Sequence, residues 1–241
     1  MALEKQDLTL LLRLRKQYPE GKNLCILGDC TFHFTDETLN RKCGIKFKGQ
    51  AKQTTLKSFS QAYGFETAVT IDIDGNPTLK FDLQKKLPRN LIGKFDWVID
   101  AGTLFWCFDI AGIWENILLL LKPHGCVFHI DALTGYFGRG YYSLHPRLFS
   151  DFYSQNGLKI ITFAYRLRPP SLNIIEKRFR RLEWQPFPPS HMFLKNADKF
   201  NMEFSDKNTT DPSIVPNDAV LACFAVRAKK VPFQTVLPSN I

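Results

Sequence analysis

Acidic side chains recur at the points where the strand-like segments of this sequence end. The four positions are Asp29, Asp72, Asp82 and Asp100, and a glycine accompanies the first and the last, at Gly28 and Gly102. Carboxylates accept hydrogen bonds from ribose hydroxyls and from the amino group of adenine, and a glycine lets the backbone approach a ligand closely. The pattern therefore predicts a nucleoside-cofactor site. The alternative is that each carboxylate only caps the helix that follows its strand.

The segments that position these residues alternate between apolar strands and helices. The sequence predicts strands at residues 23–27, 67–71, 78–81, 95–99, 126–130, 158–164 and 219–226. It predicts helices at residues 3–17, 54–63, 109–121 and 146–155. Such alternation is typical of an α/β fold with a mainly parallel sheet, in which ligands bind beyond the carboxyl ends of the strands.

The stretch from about residue 166 to 218 interrupts this alternation and is predicted to be an insertion before the last strand. It contains seven prolines and a basic cluster with interleaved aromatic residues, namely Lys177, Arg178, Phe179, Arg180, Arg181 and Trp184, preceded by Arg166 and Arg168. This mixture suits phosphate binding and base stacking, and it equally suits the solvated face of a helix. We predict one domain, with a core at about residues 20–165 plus the last strand at 219–227.

Charge and cysteine usage narrow the class of protein. The net charge of +9 favours an anionic partner, although basic charge also serves solubility alone. The six cysteines form no C-x-x-C pair and no His/Cys cluster with zinc spacing, so we predict no metal site and a reducing, cytoplasmic location. No apolar run reaches the roughly 20 residues that span a bilayer, and we predict no membrane span.

One continuous stretch carries a family resemblance: residues 95–130 read FDWVIDAGTLFWCFDIAGIWENILLLLKPHGCVFHI. The stretch resembles the fourth strand, helix and fifth strand of class I S-adenosylmethionine-dependent methyltransferases, including their K-P-x-G turn. More narrowly, it is similar to a bacterial subgroup with D-x-V-I-D-G-G-T-L-E-H at this point. That subgroup also has a G-x-G-x-Y/F-x-x-x-P segment after the fifth strand, which residues 138–146 match. The resemblance covers residues 23–164.

The resemblance implies a Rossmann-like, seven-stranded, mainly parallel sheet with flanking helices, an antiparallel last strand, and S-adenosylmethionine as cofactor. The residues implied to bind it are Gly28, Asp29 and Cys30 at the methionine end, Asp72 and Ile73 at the ribose, Asp82 and Leu83 at the adenine, and Asp100, Gly102 and Thr103 as the floor beneath the sulfonium. Two positions depart from the pattern. The first-strand loop has one glycine instead of three, and Phe105-Trp106 replaces the subgroup's Glu-His.

Residues that could act on an acceptor cluster after the predicted fifth strand. Methyl transfer needs mainly alignment, whereas an oxygen acceptor also needs a base. The candidates are His145, Asp131 and Tyr142. His145 precedes Pro146 and is expected near the surface, and Asp131 has the alternative of capping the following turn. His129 is expected to be a satisfied core residue, while His33 and His191 are expected in loops.

Several functions are compatible with these features. The leading hypothesis is methyl transfer to a small-molecule or saccharide acceptor, with an anionic or glycosylated acceptor as one option, in a bacterial biosynthetic pathway. The alternative is an inactive methyltransferase-like module that binds nucleic acid or protein through its basic insertion. An NAD-dependent oxidoreductase would have G-x-G-x-x-G after a strand, which the Gly28 loop does not supply. Nucleic-acid methylation is not favoured, because the sequence has no N/D-P-P-Y/F motif.

Overall fold

The computed structural model of the chain describes residues 2–44, 53–136, 138–167, 184–186, 219–228 and 233. The helices are α1 Lys5–Gln17, α2 Asp36–Cys43, α3 Leu56–Ala62, α4 Ile110–Leu120 and α5 Pro146–Gln155. The strands are β1 Ala2–Glu4, β2 Asn23–Leu27, β3 Thr31–His33, β4 Thr67–Asp72, β5 Leu79–Lys80, β6 Phe95–Asp100, β7 Leu121–Thr134, β8 Leu158–Leu167, β9 Gln185–Pro186 and β10 Ala219–Arg227. Each helix in these ranges is too short to cross a bilayer.

The strands form one large sheet with the order β5-β4-β2-β6-β7-β10-β8-β9. The neighbours from β5 to β7 are parallel, whereas β10 runs antiparallel to both β7 and β8. The two-residue strand β9 adds an edge to the seven predicted strands, and β1 pairs with β3 in a separate parallel ribbon. The predicted α/β fold with an antiparallel last strand is confirmed. Strand order reverses between β2 and β6, which is where open α/β sheets bind ligands.

Apolar residues bury both faces of this sheet. Helices α1 and α3 cover one face, where Leu8, Leu11 and Phe59 pack with residues of β2, β6 and β7. Helices α4 and α5 cover the other face through residues such as Ile113 and Phe149. Leu8, Leu11 and Leu14 recur at helical spacing and are buried on the face of α1 that packs against the sheet.

A single arginine anchors the end of α1 to the loops at the amino ends of the strands. The Arg15 guanidinium donates hydrogen bonds of 2.8–3.2 Å to five backbone carbonyls, those of Tyr18, Glu20, Gly21, Tyr63 and Gly64. Its carbon atom Cζ lies 4.3 Å from the centre of the Phe65 ring. Because a guanidinium has five N–H donors, the side chain meets all five carbonyls at once.

Several predicted boundaries were wrong. Leu3 belongs to β1 rather than to the first helix, and His33 lies in β3 rather than in a loop. Strand β7 continues to Thr134, so Asp131 lies inside a strand and does not cap a turn. The predicted turn at residues 122–125 is a bulge, since the pairing of β6 with β7 jumps from Leu121 to Cys126. Helix α2 was not predicted, and the predicted end of β8 is too early, since the strand continues to Leu167.

Most of the predicted insertion lies outside the residues that the structure describes. The basic residues Lys177 to Arg181, and His191, lie outside the described residues. The described part consists of the end of β8 and residues 184–186, where β9 pairs with β8. The insertion boundaries at 166 and 218 therefore stay a prediction.

Candidate functional site

The strand-end aspartates lie at one edge of the sheet. They are Asp29 after β2, Asp72 at the end of β4, Asp82 after β5 and Asp100 at the end of β6. Three of them act on the half-buried thiol of Cys107. Burial is the largest cause that raises the pKa of this thiol to about 12, and the charges of Asp100, Asp82, Asp72 and Asp131 add to it. The fold therefore brings together the carboxylates that the sequence predicted would meet.

The loops after β2 and β4 are tied to each other through two of these carboxylates. The Asp29 N–H donates to Oδ2 of Asp72 at 2.6 Å, and Oδ1 of Asp72 accepts from the N–H groups of Ile73 at 2.7 Å and Asp74 at 3.3 Å. Oδ2 of Asp29 accepts from the Asn76 N–H at 2.9 Å. A carboxylate has about four acceptor positions, so the half-buried Asp72 can still accept from a ligand hydroxyl.

The residues around these two loops differ in their exposure. Gly28 is buried with φ +87° and donates its N–H to the Ile71 carbonyl at 2.6 Å. Cys30 is also buried, and its thiol points to the carbonyl of Thr31 at 3.6 Å. Ile73, by contrast, exposes 54% of its surface beside Asp72. An exposed isoleucine at a strand end offers an apolar surface that a planar ring can cover.

The segment after β5 is anchored to helix α4. Oδ1 of Asp82 accepts from the Gln84 N–H at 3.0 Å, and Leu83 is buried. The Asn116 amide nitrogen donates to the carbonyls of Leu83 and Lys85, each at 2.7 Å. These bonds fix the segment after β5 on α4, and the Phe81 N–H links the same segment to the Asp72 carbonyl at 2.9 Å.

The turn after β6 connects two neighbouring strands. Oδ1 of Asp100 accepts from the Thr103 N–H at 2.7 Å, and the Thr103 hydroxyl donates to the Leu27 carbonyl of β2 at 2.8 Å. Gly102 has φ +90°, and a Cβ atom there would lie 2.8 Å from Cε1 of Phe105. The Phe105 ring thus covers one side of Gly102 where the subgroup pattern has glutamate.

A cavity of about 280 Å³ lies next to this turn. Its walls include Gly102, Asp131, Arg166 and the aromatic residues Phe105, Trp106 and Tyr136. The ring centre of Phe105 is 5.5 Å from that of Trp106 and 5.5 Å from that of Tyr136. The volume and the aromatic walls suit a small ring compound.

The amino-terminal ribbon forms the opposite wall of the cavity. Glu4 of β1 and His33 of β3 both line it, with 2.8 Å between Oε1 of Glu4 and Nδ1 of His33. Behind them, Nε of Arg166 donates to Oδ1 of the buried Asp7 at 3.1 Å, and the guanidinium lies 5.1 Å from the Trp184 ring. Burial raises the pKa of Asp7, although the Arg166 charge opposes the rise. From the sequence, Arg166 precedes a basic cluster that suits either phosphate binding or the solvated face of a helix, and its burial against Asp7 was not predicted.

Beneath the same turn lies a closed polar network. Oδ2 of Asp100 is 2.9 Å from Nδ1 of His129, whose Nε2 is hydrogen-bonded to the Tyr153 hydroxyl. Asp131, two residues along β7, places Oδ2 3.6 Å from the same Nδ1. The Trp114 ring covers His129 at 5.2 Å between ring centres, and all four polar residues are buried. The expected core position of His129 is confirmed.

The pKa values of the two carboxyl groups in this network are shifted in opposite directions. Burial alone would raise the pKa of Asp100, but hydrogen bonds from His129, Asp131 and Thr103 and the charge of His129 hold it below its ordinary value. Burial, and then the charge of Asp100, raise the pKa of Asp131 well above its ordinary value. These opposite shifts favour the ionised form of Asp100 and the protonated form of Asp131.

The same cluster has the composition of a metal site but not its connectivity. Asp100, His129 and Asp131 offer ligand atoms that lie within 4.8 Å of one another. Both ring nitrogens of His129, however, already have hydrogen-bond partners in Asp100 and Tyr153. A histidine that binds a metal uses one nitrogen for the ion, so this arrangement favours a hydrogen-bond network.

The predicted acceptor-side residues fall in different places. Asp131 lines the cavity, but both of its carboxyl oxygens are sealed from solvent. His145 is exposed and caps α5, its Nδ1 accepting from the Arg147 N–H at 3.1 Å. The Tyr142 hydroxyl donates to the Phe108 carbonyl at 2.8 Å. Neither His145 nor Tyr142 belongs to the cavity lining, and their catalytic roles stay predictions.

Comparison with known proteins relates the chain to one group of folds. No family sequence model and no curated protein sequence matches it. The structure is similar to the N-methyltransferase NodS of Bradyrhizobium japonicum WM9 in complex with S-adenosylhomocysteine, with a TM-score of 0.50, 8% identity, and 93% of this chain and 87% of that chain covered. A protein of Bacillus halodurans C-125 assigned as a methyltransferase gives a TM-score of 0.50, 9% identity, and coverage of 92% and 99%. The chain has the Rossmann-like fold of class I S-adenosylmethionine-dependent methyltransferases.

Proposed function

We propose that this chain transfers a methyl group from S-adenosylmethionine to a small-molecule acceptor. The observation that carries the proposal is the convergence of Asp72, the turn from Asp100 to Thr103 and the aromatic cavity at one sheet edge. The fold supports it, because chains with this fold include an N-methyltransferase crystallised with S-adenosylhomocysteine.

The residues at this edge fit the chemistry of that cofactor. Gly28 and Gly102 have φ values of +87° and +90°, a conformation that favours glycine, so no side chain stands at these positions at the ends of β2 and β6. Asp72 retains acceptor capacity for a ribose hydroxyl, and the exposed Ile73 beside it offers apolar cover for the adenine. When bound, S-adenosylmethionine supplies an activated methyl group on a positively charged sulfur.

The chain's own residues would then hold and align the two reactants. Asp72 accepts from the ribose, and the anchored pair Asp82 and Leu83 meets the base. Gly28, Asp29 and Cys30 lie at the methionine end. Asp100, Gly102 and Thr103 form the floor, where the Asp100 carboxylate favours a positive charge nearby. Alignment of this kind contributes most of the rate of a methyl transfer.

The cavity defines the acceptor that we propose. Its volume of about 280 Å³ admits a small molecule, and Phe105, Trp106 and Tyr136 favour one that contains a ring. The finer assignments belong to the same proposal: a bacterial biosynthetic pathway, a cytoplasmic location, and an acceptor that is anionic or glycosylated. The six unpaired cysteines support a reducing compartment.

Calorimetric titration of the purified chain with S-adenosylhomocysteine tests the cofactor assignment. We expect binding by the wild type and about 5- to 150-fold weaker binding by Asp72→Ala, because a charge-assisted hydrogen bond contributes about 1–3 kcal/mol. Asp74→Ala is the matched control, since Asp74 is an exposed acid of the same loop. No binding by the wild type at millimolar ligand would refute the proposal. Equal affinities of wild type and Asp72→Ala would place the site elsewhere.

One observation favours the inactive alternative. The Phe105 ring packs directly against Gly102, and the Phe105-Trp106 pair replaces polar residues of the resembling subgroup. A module that had lost its cofactor would tolerate such filling. The titration separates the two functions, because that module would bind its anionic partner but not S-adenosylhomocysteine.

A further inference from the structure

Asp131 is a buried carboxyl group whose basic neighbour in the described residues, Nδ1 of His129 at 3.6 Å, lies closer to Asp100 at 2.9 Å. Neither of its oxygens receives a hydrogen bond from a donor in the described residues, and among those residues no lysine or arginine forms an ion pair with it. The titratable groups that face it are Asp100 of β6, His129 of its own strand, Tyr153 of α5, Cys223 of β10 and Cys107 after β6. An ionised carboxylate in this setting would be strongly destabilising.

The neighbouring Asp100 shows the opposite environment. It accepts the Thr103 N–H at 2.7 Å through Oδ1 and lies 2.9 Å from Nδ1 of His129 through Oδ2. Both ring nitrogens of His129 are hydrogen-bonded, Nδ1 to Asp100 and Nε2 to the Tyr153 hydroxyl, so His129 is already directed at Asp100. Two neighbouring carboxyl groups in a closed interior hold one proton between them. These contacts assign the charge to Asp100 and the proton to Asp131.

We propose that Asp131 is a positioning residue, a neutral carboxylic acid that donates a hydrogen bond to Asp100 and thereby holds the turn from Asp100 to Thr103. The chain of bonds runs from Asp131 to Asp100, on to the Thr103 N–H, and from the Thr103 hydroxyl to the Leu27 carbonyl. It therefore connects β7 with the ends of β6 and β2. This inference rests on the proposed function in one respect, because only that function makes the turn part of a cofactor site.

The raised pKa of Asp131 fixes the direction in which the stability of the fold changes with pH. The folded pKa of Asp131 lies above its unfolded value. The stability that the protonated group contributes is therefore complete below the ordinary aspartate range and is lost as pH rises through the folded pKa. Above that pKa, a second negative charge would stand beside Asp100 and push the turn apart. Burial raises the pKa of Cys107, Tyr153 and Cys223 as well, which moves their titration to alkaline pH.

The variants Asp131→Asn and Asp131→Ala test whether Asp131 acts as a neutral hydrogen-bond donor or as a group that must ionise. Asparagine keeps an N–H donor toward Asp100 without the charge, whereas alanine removes the donor. We expect Asp131→Asn to bind S-adenosylhomocysteine within about threefold of wild type and Asp131→Ala at least about tenfold more weakly. Thermal unfolding without ligand between pH 5 and 9 gives the second readout. The wild-type Tm should fall relative to that of Asp131→Asn as pH rises.

Three outcomes would overturn the inference. Asp131→Asn could prove as damaging as Asp131→Ala, or could keep the full wild-type dependence of Tm on pH. In the third, removing divalent ions with EDTA lowers the wild-type Tm and makes it equal to that of Asp131→Asn, which would assign Asp131 to a metal site. If Asp131→Ala fails to fold, the asparagine variant still decides. Failure of the wild type to bind S-adenosylhomocysteine would refute the proposed function alone, because the Tm comparison uses no ligand.

Discussion

Substituting alanine for Gly102 tests how tightly the turn after β6 is packed. At φ +90° an alanine is strained, which costs about 1–2 kcal/mol. Its Cβ would also lie 2.8 Å from Cε1 of Phe105, so the ring must move. The ring has little room, because a Cβ at Gly140 on its other side would be even closer to it. Overpacking of this kind costs about 1–3 kcal/mol, and we expect about 2–5 kcal/mol of destabilisation in total.

Urea unfolding measures this loss, with Gly64→Ala as the control. Gly64 has φ +73°, but a Cβ there would meet no atom within 4 Å, so the control reports backbone strain alone. The Phe105→Leu background removes the ring and should return Gly102→Ala to the cost of the control. Equal destabilisation by Gly102→Ala and Gly64→Ala in the wild-type background would show that Phe105 does not press on the turn. Titration with S-adenosylhomocysteine should show weaker binding by Gly102→Ala than by Gly64→Ala.

Two further predictions concern the buried guanidinium of Arg15 and the thiol of Cys107. Arg15→Lys should lower the free energy of unfolding in urea by about 2–4 kcal/mol, because a lysine has three donors for five carbonyls. Arg13→Lys on the exposed face of α1 should change it little, and equal effects would contradict the role of Arg15. Cys107 should react with iodoacetamide at pH 8 at least about 100-fold more slowly than glutathione, since its pKa is about 12. Asp82→Asn should speed that reaction, and a rate like that of glutathione would contradict the clustering of the aspartates.

The fold could be predicted because its signals are local. The run from Asn23 to Leu27 is continuously apolar and becomes a central strand, and Pro146 begins α5 where a proline suits the first helical turn. The amino-terminal strand was missed because three residues carry no period, and Leu3 fits the helical stripe equally well. Its strand conformation comes from pairing with β3, a partner distant in sequence.

From the sequence, only those site residues that lie at strand ends could be predicted. Asp72, Asp82 and Asp100 meet because parallel strands end at one edge of a sheet. The partnership of His129 with Tyr153 joins β7 to α5, and nothing in the spacing of those residues predicts it. A weak signal existed for Asp131, which shares a strand face with His129 at a separation of two residues. Arg166 looked like part of a basic surface until the fold buried it against Asp7.

The position of β10 has a consequence for how the chain is made. Among the described strands this one comes last in sequence, yet it lies between β7 and β8 and pairs with both. On the ribosome, both edges therefore emerge long before their common partner is synthesised. Open strand edges are templates for association with other chains, and pairing that waits for distant residues is slow. Between the synthesis of β8 and that of β10, both edges of the incomplete sheet are therefore open to pairing with other chains.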